Sequence, residues 1–124
     1  MNIEDLSRGY FITTPHNLDE EKEFVVYNIE DDSIHTEDDG TIPIENVIGI
    51  PVNNRRDLIN RLGFYSKDGK EYFLKGWQDK VKLIIDSEMG VGDEITADFY
   101  LGTVFVTSVN YIHELQKLLY FFND

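Results

Sequence analysis

Apolar positions along this chain recur at helical spacing in two segments, and elsewhere they fall into short runs rich in β-branched and aromatic residues. The first helix is expected over Asn54 to Leu62. Asn54 stands as N-cap, and Asp57 sits three residues later, where a carboxylate meets the free first-turn amides. Leu58, Ile59 and Leu62 then share a face, Gly63 supplies the stop, and Pro51 separates the helix from the preceding strand. The second helix is expected from Asn110 to Phe122, with Tyr111, Leu115, Leu118 and Phe122 on one stripe that Ile112 and Leu119 widen. This pattern describes a helix packed on a sheet.

Strands are expected over Tyr10 to Thr14, Glu23 to Ile29, Ser33 to Glu37 and Thr41 to Ile50, with turns at Asn28 to Asp32 and Asp38 to Gly40. Lys67-Asp-Gly-Lys70 has the Asp-Gly pair of a type I′ hairpin, entered by Phe64 and Tyr65 and left by Tyr72 to Lys75. A further strand spans Val81 to Asp86, and Gly90 and Gly92 mark a turn. Ile95 to Tyr100 and Thr103 to Thr107 form either a hairpin about Leu101 and Gly102 or one bulged strand. The expected fold is a single α+β domain over residues 1–124. An acidic, β-rich part (1–52) is followed by a helix-hairpin-helix part (53–124) whose C-terminal amphipathic helix packs on the sheet.

Charge changes the picture, because it is concentrated. Ten of the twenty-one residues from Asp19 to Asp39 are acidic: Asp19, Glu20, Glu21, Glu23, Glu30, Asp31, Asp32, Glu37, Asp38 and Asp39. Residues 1–50 hold 13 acids against Arg8 and Lys22, a balance of −11, and the remaining residues carry −2 of the total −13. Such a field repels nucleic acid and anionic membrane and attracts basic surfaces. Acidity also serves plain solubility. Sixteen aromatic residues argue for a packed core and against a disordered acidic tail.

Other chemistry finds little footing. With no cysteine there is no disulfide, thiolate metal site or cysteine nucleophile. The opening residues, with Glu4 and Asp5, lack the basic-then-apolar order of a secretory signal, and no apolar run approaches the ~20 residues that span a bilayer. Cytoplasmic residence is expected. His16, His35 and His113 lie in three different elements; His113-Glu114 is a fragment of a zinc motif, and His113 is expected to be a partly exposed helical residue. Setting Gly40 at the sixth position of a calcium loop puts His35 first and Asn46 twelfth, which fails the EF-hand pattern. Gly90-Val91-Gly92 lacks the remainder of a phosphate loop, no serine sits in a nucleophile elbow, and the cations from Arg55 to Lys82 are interrupted by acids. No cofactor or metal is expected.

Two further stretches are Ile48-Gly-Ile-Pro-Val52 leading into Leu58-Ile-Asn-Arg-Leu-Gly-Phe64, and Val109-Asn-Tyr-Ile-His-Glu-Leu-Gln-Lys-Leu-Leu-Tyr-Phe121. Together with the opening Met1-Asn-Ile-Glu-Asp-Leu-Ser-Arg-Gly-Tyr10, they resemble the motifs of a family of small phage- and mobile-element-encoded proteins of gut-type bacteria. The chain departs from those motifs at Ser7, Tyr10, Asn53-Asn54 and Leu118-Leu119. The resemblance carries no activity or catalytic residue. It implies a phage context, in which inhibitors of host machinery, CRISPR effectors with basic channels among them, are expected.

The functional expectation is therefore non-enzymatic. The ten acids act as phosphate surrogates that occupy the basic surface of a host nucleic-acid-binding or defence protein, with neither nucleic acid nor membrane bound directly. The alternatives are a sponge for a nucleotide signal, built from Trp77, the aromatic hairpin and Arg55 or Arg56; a structural accessory protein of a mobile element; and a metal-dependent hydrolase.

Overall fold

Short strands separated by tight turns dominate the computed structural model, which describes residues 6–19, 22–38, 40–54, 56–76, 80–85 and 96–122, the side chains of 18, 19 and 56 excepted. The chain divides into two compact units, residues 1–50 together with 113–124, and residues 51–112. Both are built on antiparallel sheets, and the whole is α+β with strands in the majority. Among the described residues no helix is long and apolar enough to cross a membrane.

In the first unit β1 (Phe11–Thr13), β2 (Phe24–Glu30), β3 (Ser33–Thr36), β4 (Thr41–Pro43) and β5 (Ile48–Gly49) form a sheet in the order β4-β3-β2-β1-β5. Alternation puts one side chain in two on the inner face, so Leu6, Tyr10, Ile12, Val26, Ile34, Ile42 and Val47 make one buried cluster. The expected continuous strand over Thr41 to Ile50 is broken. Pro43 has no N–H to continue a ladder, and Ile44–Asn46 turns as a 3-10 helix closed by the Val47 N–H on the Ile44 carbonyl at 3.2 Å. A short helix, α1 (Pro15–Asp19), had no counterpart in the sequence reading. Thr14 starts it, its hydroxyl oxygen accepting from the Asn17 amide at 3.3 Å and the Asn17 side chain at 2.7 Å.

The terminal helix α2 (Ile112–Phe122) packs on this sheet. The Gln116 carboxamide imitates a strand partner: its Oε1 accepts from the Phe11 N–H at 2.8 Å and its Nε2 donates to the Gly9 carbonyl at 3.1 Å. Its most buried residues are Ile112, His113 and Leu115. The expected stripe shifts accordingly. Tyr111 precedes the helix in a bridge with Pro51, and Leu118 and Phe122 are half-buried. His113 is a correction, buried at 4 % exposure where partial exposure was expected, because it falls one residue from Ile112 on the inward side.

In the second unit β6 (Phe64–Tyr65), β7 (Glu71–Leu74), β8 (Val81–Ile85), β9 (Ala97–Leu101) and β10 (Val104–Val109) are ordered β10-β9-β8-β7-β6. The inner face carries Tyr72, Leu83 and Phe99 in one cross-strand row. The opposite face carries Tyr65, Phe73, Lys82, Tyr100 and Phe105 in register across all five strands. Tyr65 and Phe73 have centroids 5.9 Å apart, the Lys82 ammonium lies 4.9 Å from the Tyr100 ring, and Tyr100 meets Phe105 edge-on at 5.6 Å. The two alternatives for residues 95–107 resolve to a hairpin with Gly102 at φ +63°, and β10 also carries a bulge between Phe105 and Thr107.

The expected first helix is a single π-helical turn, Arg56–Arg61, in which the Leu62 N–H reaches the Asp57 carbonyl five residues back at 2.9 Å. Asn54 does cap it, accepting from the Asp57 amide at 3.2 Å. The wider turn leaves Leu58 buried and Ile59 exposed, and it takes the Asp57 carboxylate inward, 3.5 Å from Arg61 Nε, not to the first-turn amides. The Lys67–Lys70 hairpin also differs from expectation: only Gly69 has positive φ, so the turn is not type I′. Asp68 accepts from the Lys70 and Glu71 amides, both at 2.9 Å, and holds a longer loop. Gly90 and Gly92 lie outside the described residues.

Candidate functional site

The acidic run folds into two turns. Glu30 pairs in register with Ser33, leaving Asp31 and Asp32 as the centre of the β2–β3 turn, with Asp31 at φ +43°, a conformation aspartate tolerates. The 3-10 turn anchors this loop, the Ile44 N–H donating to the Asp32 carbonyl at 2.7 Å. Glu37 and Asp38 occupy the β3–β4 turn, where the Thr36 N–H donates to the Gly40 carbonyl at 3.0 Å and the Gly40 N–H to the Thr36 hydroxyl at 3.1 Å. The Glu37 amide bonds the Val25 carbonyl at 3.0 Å, which fixes this turn beside the start of β2.

Because β3 runs between the turns, the two carboxylate groups sit at its opposite ends, separated from Asp32 to Glu37 by roughly 17 Å at the usual rise per residue. Glu30, Asp31 and Asp32 form one group, and Glu37 and Asp38 the other, with Glu23 preceding β2 at that same end. The structure thus brings together three acids at one end, and two with Glu23 beside them at the other. Glu30, Asp31, Asp32, Glu37 and Asp38 are exposed, and Glu23 is half-buried. Glu20, Glu21, Asp39 and the Asp19 side chain lie outside the described residues, as do Trp77 and Arg55 of the nucleotide-sponge alternative.

Among the described residues, few cations lie near these turns. Glu30 Oε2 lies 3.3 Å from His35 Nε2, a charge pair whenever His35 is protonated, and His35 Nδ1 is 3.4 Å from the Thr41 hydroxyl. The sequence reading considered His35 only as a metal ligand; its place opposite Asn28 in the β2–β3 register is what carries it to Glu30. The cations of the region lie on aromatic rings, Arg8 4.5 Å from the Tyr27 centroid and Lys22 5.4 Å from that of Phe24. Between the two turns a shallow depression of about 240 Å³ is lined by Tyr27, Asn28, Glu30, His35, Thr36 and Gly40. Among the described residues, no group of three or more histidine, aspartate or glutamate side chains is placed to hold a metal ion.

The Thr36 hydroxyl, donating to Asp38 Oδ1, holds the Asp38 carboxyl below its usual range, helped by the Gly40 amide and the Lys22 charge. Asp68 is lowered likewise, by the Glu71 and Lys70 amides first. A carboxyl depressed on folding contributes stability that is present above its ordinary pKa and is lost as pH falls through the folded value. Carbon-detected NMR titration is expected to show Asp38 and Asp68 each with a midpoint below the ordinary aspartate value. If their midpoints instead sit at that ordinary value, the turn geometry described above is wrong.

The fold and this surface define a small mixed α+β protein with carboxylate-bearing hairpin turns. The chain matches no protein-family model, no curated protein and no solved structure.

Proposed function

We propose that this protein acts by stoichiometric binding, presenting the carboxylates of its two β-turns to a cationic protein surface of the kind that holds nucleic acid. The observation that supports it is that Glu30, Asp31, Asp32, Glu37 and Asp38 stand exposed on hydrogen-bonded turns with no lysine or arginine ion pair among the described residues. The charge of the first unit, −12 of the total −13 when residues 113–124 are included, remains available to steer a partner. A spacing of roughly 17 Å between the groups matches about five phosphate steps along one strand, at ~3.4 Å each. In this reading a basic channel meets two anionic anchor points held at the two ends of β3. The phage-type resemblance supports the same direction, an inhibitor of a host nucleic-acid-binding or defence protein.

The test is affinity capture from bacterial lysate at low and high salt, with added DNA or RNA as competitor. The triple variant Glu30→Lys, Asp31→Lys, Asp32→Lys serves as control. Captured proteins are expected to be basic, to leave with salt or nucleic acid, and to associate roughly 10- to 1000-fold more slowly with the variant. Partners indifferent to salt, to competitor and to the charge reversal would refute the reading.

A further inference from the structure

Each sheet has two edges, and three of the four are blunted. β4 has three residues and ends in Pro43, while β5 and β6 have two residues each. Short edges, proline and charge are the ordinary means by which proteins keep sheets from pairing with other chains. β10 departs from that rule. It is six residues long, reads Val-Phe-Val-Thr-Ser-Val, and no charge or proline occurs between Gly102 and Asn110. Val104 is 65 % exposed and Phe105 is 52 % exposed. Such a segment has the composition from which strand pairing between chains grows. Among the described residues its protective feature is the bulge between Phe105 and Thr107. Among the described residues, Val104 to Val109 pair along the strand only with β9. Beyond Val109 the backbone finds other partners, the Val52 N–H on the Asn110 carbonyl at 3.0 Å and the bridge between Pro51 and Tyr111.

We infer that the β10 edge is a self-association surface, pairing antiparallel with β10 of a second copy about a two-fold axis near Phe105. A two-fold contact requires a strand that complements itself. β10 meets that requirement because, with no charge on it, its copy brings no like charge opposite. A partner of opposite charge gains nothing along an uncharged edge. A second β-branched strand gains main-chain hydrogen bonds and apolar contacts in both directions. The unit that carries β10 is itself nearly neutral, residues 51–112 holding nine acids against eight bases, a net −1. The aromatic row supplies the register. Phe105 ends that row with Tyr100 on its inner side, and Phe105 of a second copy continues the row across the axis.

Sedimentation of the full chain from about 1 to 100 µM reads the equilibrium directly. A monomer–dimer equilibrium is expected, and Val104→Lys, which sets lysine near its own copy, is expected to weaken it at least tenfold with an unchanged far-UV circular dichroism spectrum. The absence of cysteine allows a second measurement that does not depend on that variant folding. Phe105→Cys places the molecule's sole thiol at the axis and is expected to form a disulfide dimer on mild oxidation, well ahead of Tyr120→Cys on the exposed side of α2. The inference is overturned by a chain that stays monomeric throughout, by a dimer that Val104→Lys leaves intact, or by cross-linking no faster at position 105 than at 120.

Discussion

Replacing Phe99 with alanine is expected to cost about 3–5 kcal/mol. Phe99 is fully buried in β9 and faces Leu83 on one side and Thr107 on the other in register. Truncation therefore opens a hole at the centre of the second sheet, where strand backbones tied to both neighbours cannot close over it. The cost has two parts, the apolar surface no longer removed from water and the cavity that remains. Against a typical total stability of 5–15 kcal/mol, this is a large fraction. Urea unfolding followed by circular dichroism is expected to show the midpoint falling by roughly 2 M. A loss below about 1 kcal/mol would mean that Phe99 does not occupy the core.

The second large effect concerns the buried carboxylate of the π-helical turn. Arg61→Met is expected to cost about 2–4 kcal/mol, because it removes the guanidinium 3.5 Å from a fully buried Asp57. The distance exceeds that of a good hydrogen bond, so the attraction is chiefly electrostatic. The value is set below that for a wholly buried pair because the Arg61 side chain is 37 % exposed and partly screened. The double variant Asp57→Leu, Arg61→Met is expected to be more stable than Arg61→Met alone, since it removes the buried carboxylate as well as the guanidinium beside it. If the double variant is the less stable of the two, Asp57 is held by its other neighbours and not by this pair.

Much of the architecture was legible in the amino-acid order. β-Branched alternation located β2, β3 and β8 to within about a residue or two, and the apolar stripe located α2, because these signals report a local period that burial enforces. Asn54 was legible as a cap for the same local reason. The breaks were not. Pro43 interrupts a run whose apolar content reads as one strand, and the π-helical turn follows from where Leu58 and Asp57 must be buried, which is a tertiary demand. His113 shows the same limit, since polarity suggested exposure while its neighbours Ile112 and Leu115 set its depth.

The acidic surface illustrates a different limit. Glu30 to Asp32 and Glu37 to Asp38 are close in sequence and look like one patch, yet each tight turn reverses the chain, so contiguous turns of a meander alternate between the two ends of a sheet. Density of charge was readable; its division into two groups required the strand order. The exposed β10 edge was hidden for a related reason. A Val-Phe-Val-Thr-Ser-Val run reads equally as a central or a border strand, and only topology distinguishes them.

The Gln116 tether has a consequence for synthesis. Residues 51–112 are contiguous, whereas the first unit recruits 113–124 to residues 1–50, and the partners Phe11 and Gln116 are separated by 105 positions. At about 5–20 residues per second, a ribosome releases Gln116 roughly 5–20 seconds after Phe11. Throughout that interval the Phe11 N–H and Gly9 carbonyl have no glutamine to meet, and residues 51–112 are themselves complete only four positions before Gln116. Translation order therefore leaves the acidic beginning without its closing helix until almost the whole polypeptide has been made.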